Sequence, residues 1–423
     1  MRRCLSFLII VIGTLTTLGA NAEEGLRERL GDVDLAEHWI YDDFARAKAE
    51  ATRSGKPLLV LFRCVPCQCA EVLDEEVTSE GSELAELERR FVCVRLVQMK
   101  GVNLHYFPFD RDLSFCVLFM HSDGTIYGRY GTRATISRTE MTHISLPSFR
   151  KSLERALLLH EKHPADKEAL AAKRVALSTH RYAEEMPHLE NIQGPTSAQN
   201  CIHCHMAGEG EVKQKWREGK LSERDIWVYP LPENIGLTLD VNDGLLVKRV
   251  HDGSPAERAG IKAGDELIAM NRQPLLSQSD IQWALHHLPE GAPCDVRFRR
   301  GNEELVCSLS LSGDWRRTEI SWRDSLTGIR PGIHVRQIST GERKEKNIPP
   351  EGAALGVRYV QGTHARTAGI RQGDVILAVD GEKKLKDEGD FLKLLRIENA
   401  DADSVRLFIN RKGQTLELSL PLK

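Results

Sequence analysis

Gly253-Ser254-Pro255-Ala256-Glu257-Arg258-Ala259-Gly260-Ile261-Lys262-Ala263-Gly264-Asp265-Glu266-Leu267-Ile268-Ala269 returns as Gly362 to Ala378, with Ala365, Ala368-Gly369-Ile370 and Gly373-Asp374 in register. A fixed offset of this kind marks two copies of one supersecondary unit. Each copy predicts a short helix (Pro255 to Ala259 in the first), a glycine able to cap it in the left-handed conformation, and a Gly-Asp turn into a strand. A second helix follows, Asp280 to Leu285 in one copy and Asp390 to Leu395 in the other. Two strands close each copy: Cys294 to Arg299 with Glu303 to Leu311, and Val405 to Asn410 with Gln414 to Leu420. Two mainly β modules, each a partly open barrel, are expected at 232–312 and 352–422. Residues 313–351 read as a polar connector in which Trp315 and Trp322 pack.

These residues resemble the PDZ family, in the form attached to exported bacterial proteases of the HtrA type. The resemblance implies that a protein or peptide C-terminus adds as a strand beside the second helix, its carboxylate held by backbone N–H groups. It places the carboxylate loops at Ile235-Gly236-Leu237 and Leu355-Gly356-Val357, where the central glycine lets a ligand approach the backbone. The other reading of the modules is as intramolecular spacers. No Gly-x-Ser-x-Gly elbow or trypsin-like triad accompanies them, so proteolysis is not expected.

Upstream, 32–163 forms a second kind of domain. An amphipathic stretch from Leu35 to Ala51 precedes Leu58-Leu59-Val60-Leu61-Phe62, a continuous apolar run that reads as a buried parallel strand. Arg63-Cys64-Val65-Pro66-Cys67-Gln68-Cys69 follows at once. Further strands are expected at Phe91 to Val97 and Phe115 to Met120, the latter turning at Ser122-Asp123-Gly124 into Thr125 to Tyr130. Strand, Cys-x-x-Cys, helix, strand and hairpin is the order of a thioredoxin-like α/β fold. A thiol at a helix N-terminus has its thiolate stabilised by free N–H groups, and by resemblance Cys64 attacks while Cys67 resolves. Arg63 stands where that family carries tryptophan and is expected to help lower the thiol pKa. Ser114 or Phe115 stands where it carries a cis-proline.

Between these parts, 164–231 reads as a short helical segment. It carries Cys201-Ile202-His203-Cys204-His205, a C-x-x-C-H pattern that resembles the attachment sequence of c-type cytochromes. The resemblance implies thioethers from Cys201 and Cys204 to haem c, with His205 as the proximal iron ligand. Met186, His180 and His188 are the candidates for the sixth position. Zinc on the two thiols and His203 or His205 is the weaker alternative, because it needs a distant fourth ligand.

Met1-Arg2-Arg3, the apolar run from Leu5 to Leu18, and Ala20-Asn21-Ala22 have the order of a secretory signal, 1–22. Export to the periplasm or cell envelope is therefore expected, with a membrane anchor if the signal is kept. Of the cysteines beyond it, Cys93 and Cys116 read as core residues in apolar strands, and Cys294 and Cys307 as core thiols or a hairpin disulfide. A formal charge of -3 in 423 residues, with dispersed basic residues, argues against nucleic acid as a partner.

The whole order resembles exported thioredoxin-like/PDZ proteins, some of them selenoproteins. Two functions follow from the residues. One is an envelope redox protein whose dithiol, with a haem, exchanges electrons with a partner protein held by the PDZ modules. The other is a scaffold without turnover, its cysteines structural.

Overall fold

A computed structural model describes residues 25–32, 35–65, 71–131, 143–163, 165, 167–175, 178–192, 196–197 and 200–422. The expected signal segment at 1–22, and Cys67 and Cys69, lie outside the described residues. The chain divides into two compact units, Met1–Ala207 with Leu231–Ser312, and Gly208–Pro230 with Gly313–Lys423.

The first unit contains the thioredoxin-like sheet. Its strands are β1 (Trp39–Tyr41), β2 (Leu58–Arg63), β3 (Val92–Leu96), β4 (Phe115–Met120) and β5 (Ile126–Tyr130), in the order β1-β3-β2-β4-β5. β1 and β2 run parallel to β3, while β4 and β5 are antiparallel additions. Every residue of β2, β3 and β4 is buried, because helices cover both faces. Helix α1 (Phe44–Ser54) is started by the Asp43 carboxylate accepting from Arg46 N–H and ended by Gly55 at φ 69°. Helix α2 (Glu71–Thr78) and helix α3 (Leu146–Glu161), the latter with a Ser145/Ser148 capping box, line the sheet. On one face Val60, Phe62, Phe107, Phe109 and Cys116 pack together; on the other Leu59, Leu61, Phe119 and Phe149. Cys93 and Cys116 are core thiols as expected. The residue before β4 is Ser114, so proline is indeed absent from that position.

The same unit holds the first repeat copy: a two-stranded sheet of β6 (Leu237–Leu239) and β7 (Val247–Val250), helix α4 (Pro255–Arg258), and strands β8 (Glu266–Met270) and β9 (Gln273–Pro274). Helix α5 (Gln278–His287), β10 (Cys294–Arg300) and β11 (Glu303–Leu309) complete it, and the sheet order β11-β10-β8-β9 remains open. Cys294 is buried on β10 opposite Leu309, whereas Cys307 is half-buried on β11 opposite Val296. Both are free thiols, and Cys307 is not the core residue that was expected.

Helix α5 is buried on its outer side as well as its inner one, from Gln278 to Leu285 apart from Ser279. The outer side meets the thioredoxin-like sheet. Asp280 accepts from Arg129 N–H at 3.2 Å and from Lys173 Nζ at 3.0 Å, with Asp280 and Lys173 side chains each only 1% exposed. The Arg129 guanidinium lies 3.6 Å from the Trp283 ring centre. Gly128 makes this approach feasible, since a Cβ there would stand 2.5 Å from Asp280 Oδ2. Lys151 and Arg155 of α3 extend the seam to Asp243.

The second unit contains the second repeat copy as one antiparallel sheet. It comprises β12 (Ile333–Gln337), β13 (Leu355–Val360), β14 (Val375–Val379), β15 (Ser404–Arg411) and β16 (Gln414–Pro421), in that order. The copies share a clamp: Arg300 holds Asp265 at 2.7 Å and Gly260 O at 2.8 Å, and Arg411 holds Asp374 and Gly369 O, each at 2.7 Å. Two expectations need correction here. The 313–351 connector is folded and supplies β12, with Ile333, Val335, Ile338 and Ile348 buried. Leu355-Gly356-Val357 is not a loop: it is an internal strand hydrogen-bonded to β12 on one side, with Leu355 and Gly356 paired to β14 on the other. Its backbone has no free row of N–H groups to offer a ligand. In the first unit, the part of the expected helical segment that precedes Cys201 includes a turn of α-helix at Lys167–Leu170 and a 3₁₀ turn at Ala171–Lys173.

Candidate functional site

Strand β2, central in the sheet, delivers Cys64 to its C-terminal end. Buried on both faces, the strand ends at Arg63, and Cys64 follows with 9% exposure. Arg63, expected to help lower the thiol pKa, is held by a carboxylate. Its guanidinium turns inward, donating from Nε to Asp74 Oδ2 at 3.0 Å and from Nη1 to the Cys64 carbonyl. Asp74, on α2, is shared with Arg95, which also holds Asp32 at 2.9 Å. The positive charge is therefore matched by carboxylates within a buried network.

A histidine from the C-x-x-C-H segment stands beside Cys64 instead. Its Sγ lies 2.9 Å from Nδ1 of His203. The segment is fastened to the thioredoxin-like core: Ile202 O accepts from Met99 N–H at 2.8 Å, and Lys100 Nζ donates to Asn200 O at 3.2 Å. Ile202 and Ala207 are fully buried in the cluster that contains Phe62 and Cys116, with Cys204 and Met206 packed against it. Helix α6 (Cys204–Arg217) starts immediately after His203, so the ring is held between a packed residue and a helix. His203 and His205 stack at 5.4 Å between ring centres.

Thiol and imidazole at hydrogen-bond distance can share a proton. A thiol that gives up its proton becomes a thiolate, the form that attacks disulfides and electrophiles. Nothing in the sequence around Cys64 signals this partner, because His203 lies 139 residues away.

Cys201, Cys204 and His205 do not fit a thioether-bound haem as they stand. Cys201 is 5% exposed with Sγ towards Val97 O, and Cys204, half-buried, packs on the same core. Met186 is 1% exposed in that core and His188 Nε2 is engaged with Met206 O at 3.1 Å. Among the described residues the Cys201–His205 stretch forms no cluster of three metal-ligating groups.

The second candidate site is the edge of β6. Among the described residues β6 pairs only with β7, leaving its other edge without a strand neighbour. Ile235 is buried, Gly236 sits at φ 91°, and a Cβ on Gly236 would fall 2.0 Å from Ser254 Cβ. Glycine is therefore required there on two counts. The Gly236 N–H closes the preceding 3₁₀ turn on Glu233 O, and its carbonyl accepts from His251 N–H at 2.9 Å. In the second copy the matching bond runs from Gln361 N–H to Gly332 O at 2.7 Å, with Gly332 at φ 76°. Gly332-Ile333, leading into edge strand β12, thus stands where Gly236-Leu237 stands in the first copy.

Residues 234–311 match the PDZ domain family and residues 39–122 match a thioredoxin-like family. The chain is similar to a probable periplasmic serine endoprotease, DegP-like, of Marinomonas sp. (strain MWYL1), 24% identical over 52% of this chain and 45% of that protein. It is similar to the periplasmic pH-dependent serine endoprotease DegQ of Escherichia coli (strain K12), 28% identical over 34% of this chain and 30% of that one. Among solved structures, an HtrA3 PDZ domain bound to a phage-derived ligand matches at 34% identity over 17% of this chain and 65% of that chain, with a TM-score of 0.15. The chain spans less than half the length of these curated relatives.

Proposed function

We propose that this protein is an exported thiol redox protein whose reactive thiol is Cys64, activated by His203, and whose PDZ modules hold the C-terminus of a partner protein. The contact of 2.9 Å between Cys64 Sγ and His203 Nδ1 carries the reading. In the proposed step the Cys64 thiolate attacks a partner disulfide, forming a mixed disulfide and releasing one partner thiolate, which takes up a proton. A second thiol of this chain, Cys67 by the sequence expectation, then attacks Cys64 sulfur and frees the other partner thiol. The partner gains two electrons and this chain ends as a disulfide.

The two family matches support the pairing of such a thiol with a docking module. The tandem arrangement rests on the repeated Arg–Asp–Gly clamp and on the repeated bond to Gly236 and Gly332. Periplasmic residence rests on the signal-like N-terminus and on the printed location of the similar proteins. No helix among the described residues is long and apolar enough to cross a membrane. What is taken from those relatives is docking, not cleavage.

Cys64→Ser tests the proposal. Reduction of insulin disulfides and covalent capture of envelope proteins should both be abolished. If both are unchanged, the chain is a scaffold and its cysteines are structural. A pyridine haemochrome spectrum on protein from its native envelope tests the haem c alternative at Cys201, Cys204 and His205.

A further inference from the structure

Three side chains gather at the opposite end of the thioredoxin-like sheet from Cys64. β4 pairs Phe115 with Arg63 at one end and Met120 with Leu58 at the other, so a six-residue strand, roughly 17–20 Å, separates the two places. Just past Met120 come His121 and Asp123, in the turn to β5. His163 follows the end of α3 and is folded back so that its ring stacks on His121 at 4.0 Å and 18°.

The polar atoms converge on the Asp123 carboxylate. His121 Nδ1 lies 3.1 Å from Oδ1, and His163 Nε2 lies 3.6 Å from Oδ2. An ion bound tetrahedrally at about 2.0–2.1 Å sets its ligand atoms about 3.3 Å apart. The two observed separations bracket that value. One ligand atom from each residue fits within a span of 4.8 Å.

A second observation is independent of this spacing. The His163 side chain is only 10% exposed, and among the described residues its buried Nε2 has no hydrogen-bond partner. A nitrogen in that position is ordinarily satisfied. The neighbouring His160 is satisfied, its Nδ1 by the Tyr127 hydroxyl at 2.8 Å and its Nε2 by Gly55 O at 2.9 Å. A cation already stands at the carboxylate: Lys167 Nζ donates to Asp123 Oδ2 at 2.6 Å from a side chain that is 58% exposed.

We propose that His121, Asp123 and His163 form a binding site for a divalent cation of the zinc class. Two imidazoles and one carboxylate select zinc and its neighbours over magnesium or calcium, which take oxygen ligands. Water supplies the fourth position. Lys167 covers the carboxylate when the ion is absent and swings into solvent when it binds. His121 Nδ1 exchanges a 3.1 Å contact from the Asp123 backbone N–H for the ion. Such a site ties the β4–β5 turn to the end of α3, far from the thiol chemistry.

The test uses the full chain with its accessible thiols first alkylated by iodoacetamide. Co²⁺ is added and read by visible absorption, then Zn²⁺ is titrated against a chromophoric indicator. The expected result is one ion per chain, with d–d bands of tetrahedral cobalt and no thiolate charge-transfer band. His163→Gln and Asp123→Asn should each weaken binding at least about tenfold, and Lys167→Ala should strengthen it. Absence of binding overturns the proposal, as does affinity unchanged in the three variants. Should the histidine variant fail to fold by far-ultraviolet circular dichroism, the exposed Lys167→Ala decides alone: tighter binding supports the site and unaltered binding overturns it.

Discussion

Cys64 Sγ and His203 Nδ1, 139 residues apart in sequence, lie 2.9 Å from one another. The thiol comes from the end of a buried strand and the imidazole from a segment fastened to the same core by Ile202 and Met99. Neither element alone makes a reactive site. Held together, they set an imidazole nitrogen at hydrogen-bond distance from the thiol.

If the imidazole serves as that base, His203→Gln should lower the iodoacetamide reactivity of Cys64 at neutral pH by about tenfold or more. The change is read by peptide mapping of alkylated Cys64 across a pH series. The wild-type rate should keep a plateau that the variant lacks, and the variant should catch up at high pH. Identical pH profiles would exclude His203 as the partner.

The buried seam at Asp280 offers a test of how the first unit is held together. Removing one member of a buried ion pair leaves the other uncompensated, at a cost of about 3–5 kcal/mol. Asp280→Ala strands Lys173, whose amine is pulled down to about 8 by burial against the opposing attraction of Asp280. Lys173→Met in the Asp280→Asn background should recover part of the loss, because the Lys173 charge is no longer stranded while Arg129 keeps its bond to Pro108 O. Urea unfolding followed by tryptophan fluorescence measures both, and a loss under 1 kcal/mol in Asp280→Ala would sink the seam as a determinant of stability.

His334 on β12 gives a pH dependence with a defined sign. Burial, then the Arg330 and Arg358 charges, pull its imidazole down to about 4 from an ordinary 6.5. As pH falls through that window the unfolded chain takes up a proton that the folded one refuses, so stability is full above about 6.5 and falls towards 4. His334→Gln should remove a loss on the order of 1–3 kcal/mol from the wild-type profile over this range. Parallel acid profiles for the two proteins would show that the ring titrates normally.

Gly236 should tolerate no side chain. Its φ of 91° and the 2.0 Å approach of Ser254 both oppose Gly236→Ala, which should cost about 1–3 kcal/mol. Binding of a fluorescent peptide with a free C-terminal carboxylate should fall as well. An amidated copy of that peptide should bind the wild type weakly; equal binding of the two forms would argue against carboxylate capture at this loop.

Much of this was legible in the residues. The repeat located both modules, and the apolar run Leu58 to Phe62 placed Cys64 at a strand end. What stayed hidden was tertiary. β12 escaped because Ile333-His334-Val335-Arg336-Gln337 is short, mixes charges with apolar residues, and has no identical counterpart in the first copy. Missing that strand led to Leu355-Gly356-Val357 being read as a loop, where it is an internal strand. Asp280, Arg129 and Lys173 look like solvent-facing charges in sequence, and only the folded seam shows that one carboxylate faces both cations. The pairing of Arg63 with Asp74 was hidden for a related reason, since that carboxylate lies on the next helix.

The seam between α5 and the thioredoxin-like sheet also sets a timetable for biosynthesis. Residues 39–130 emerge from the ribosome long before Asp280 and Trp283, yet α5 supplies the carboxylate that Arg129 and Lys173 share and the ring on which Arg129 lies. The nascent first domain therefore stays unfinished on one side until that helix is made. A chain that is exported would do best to cross the membrane unfolded and mature there in one step, and a stop in translation ahead of α5 should yield a fragment marked for degradation.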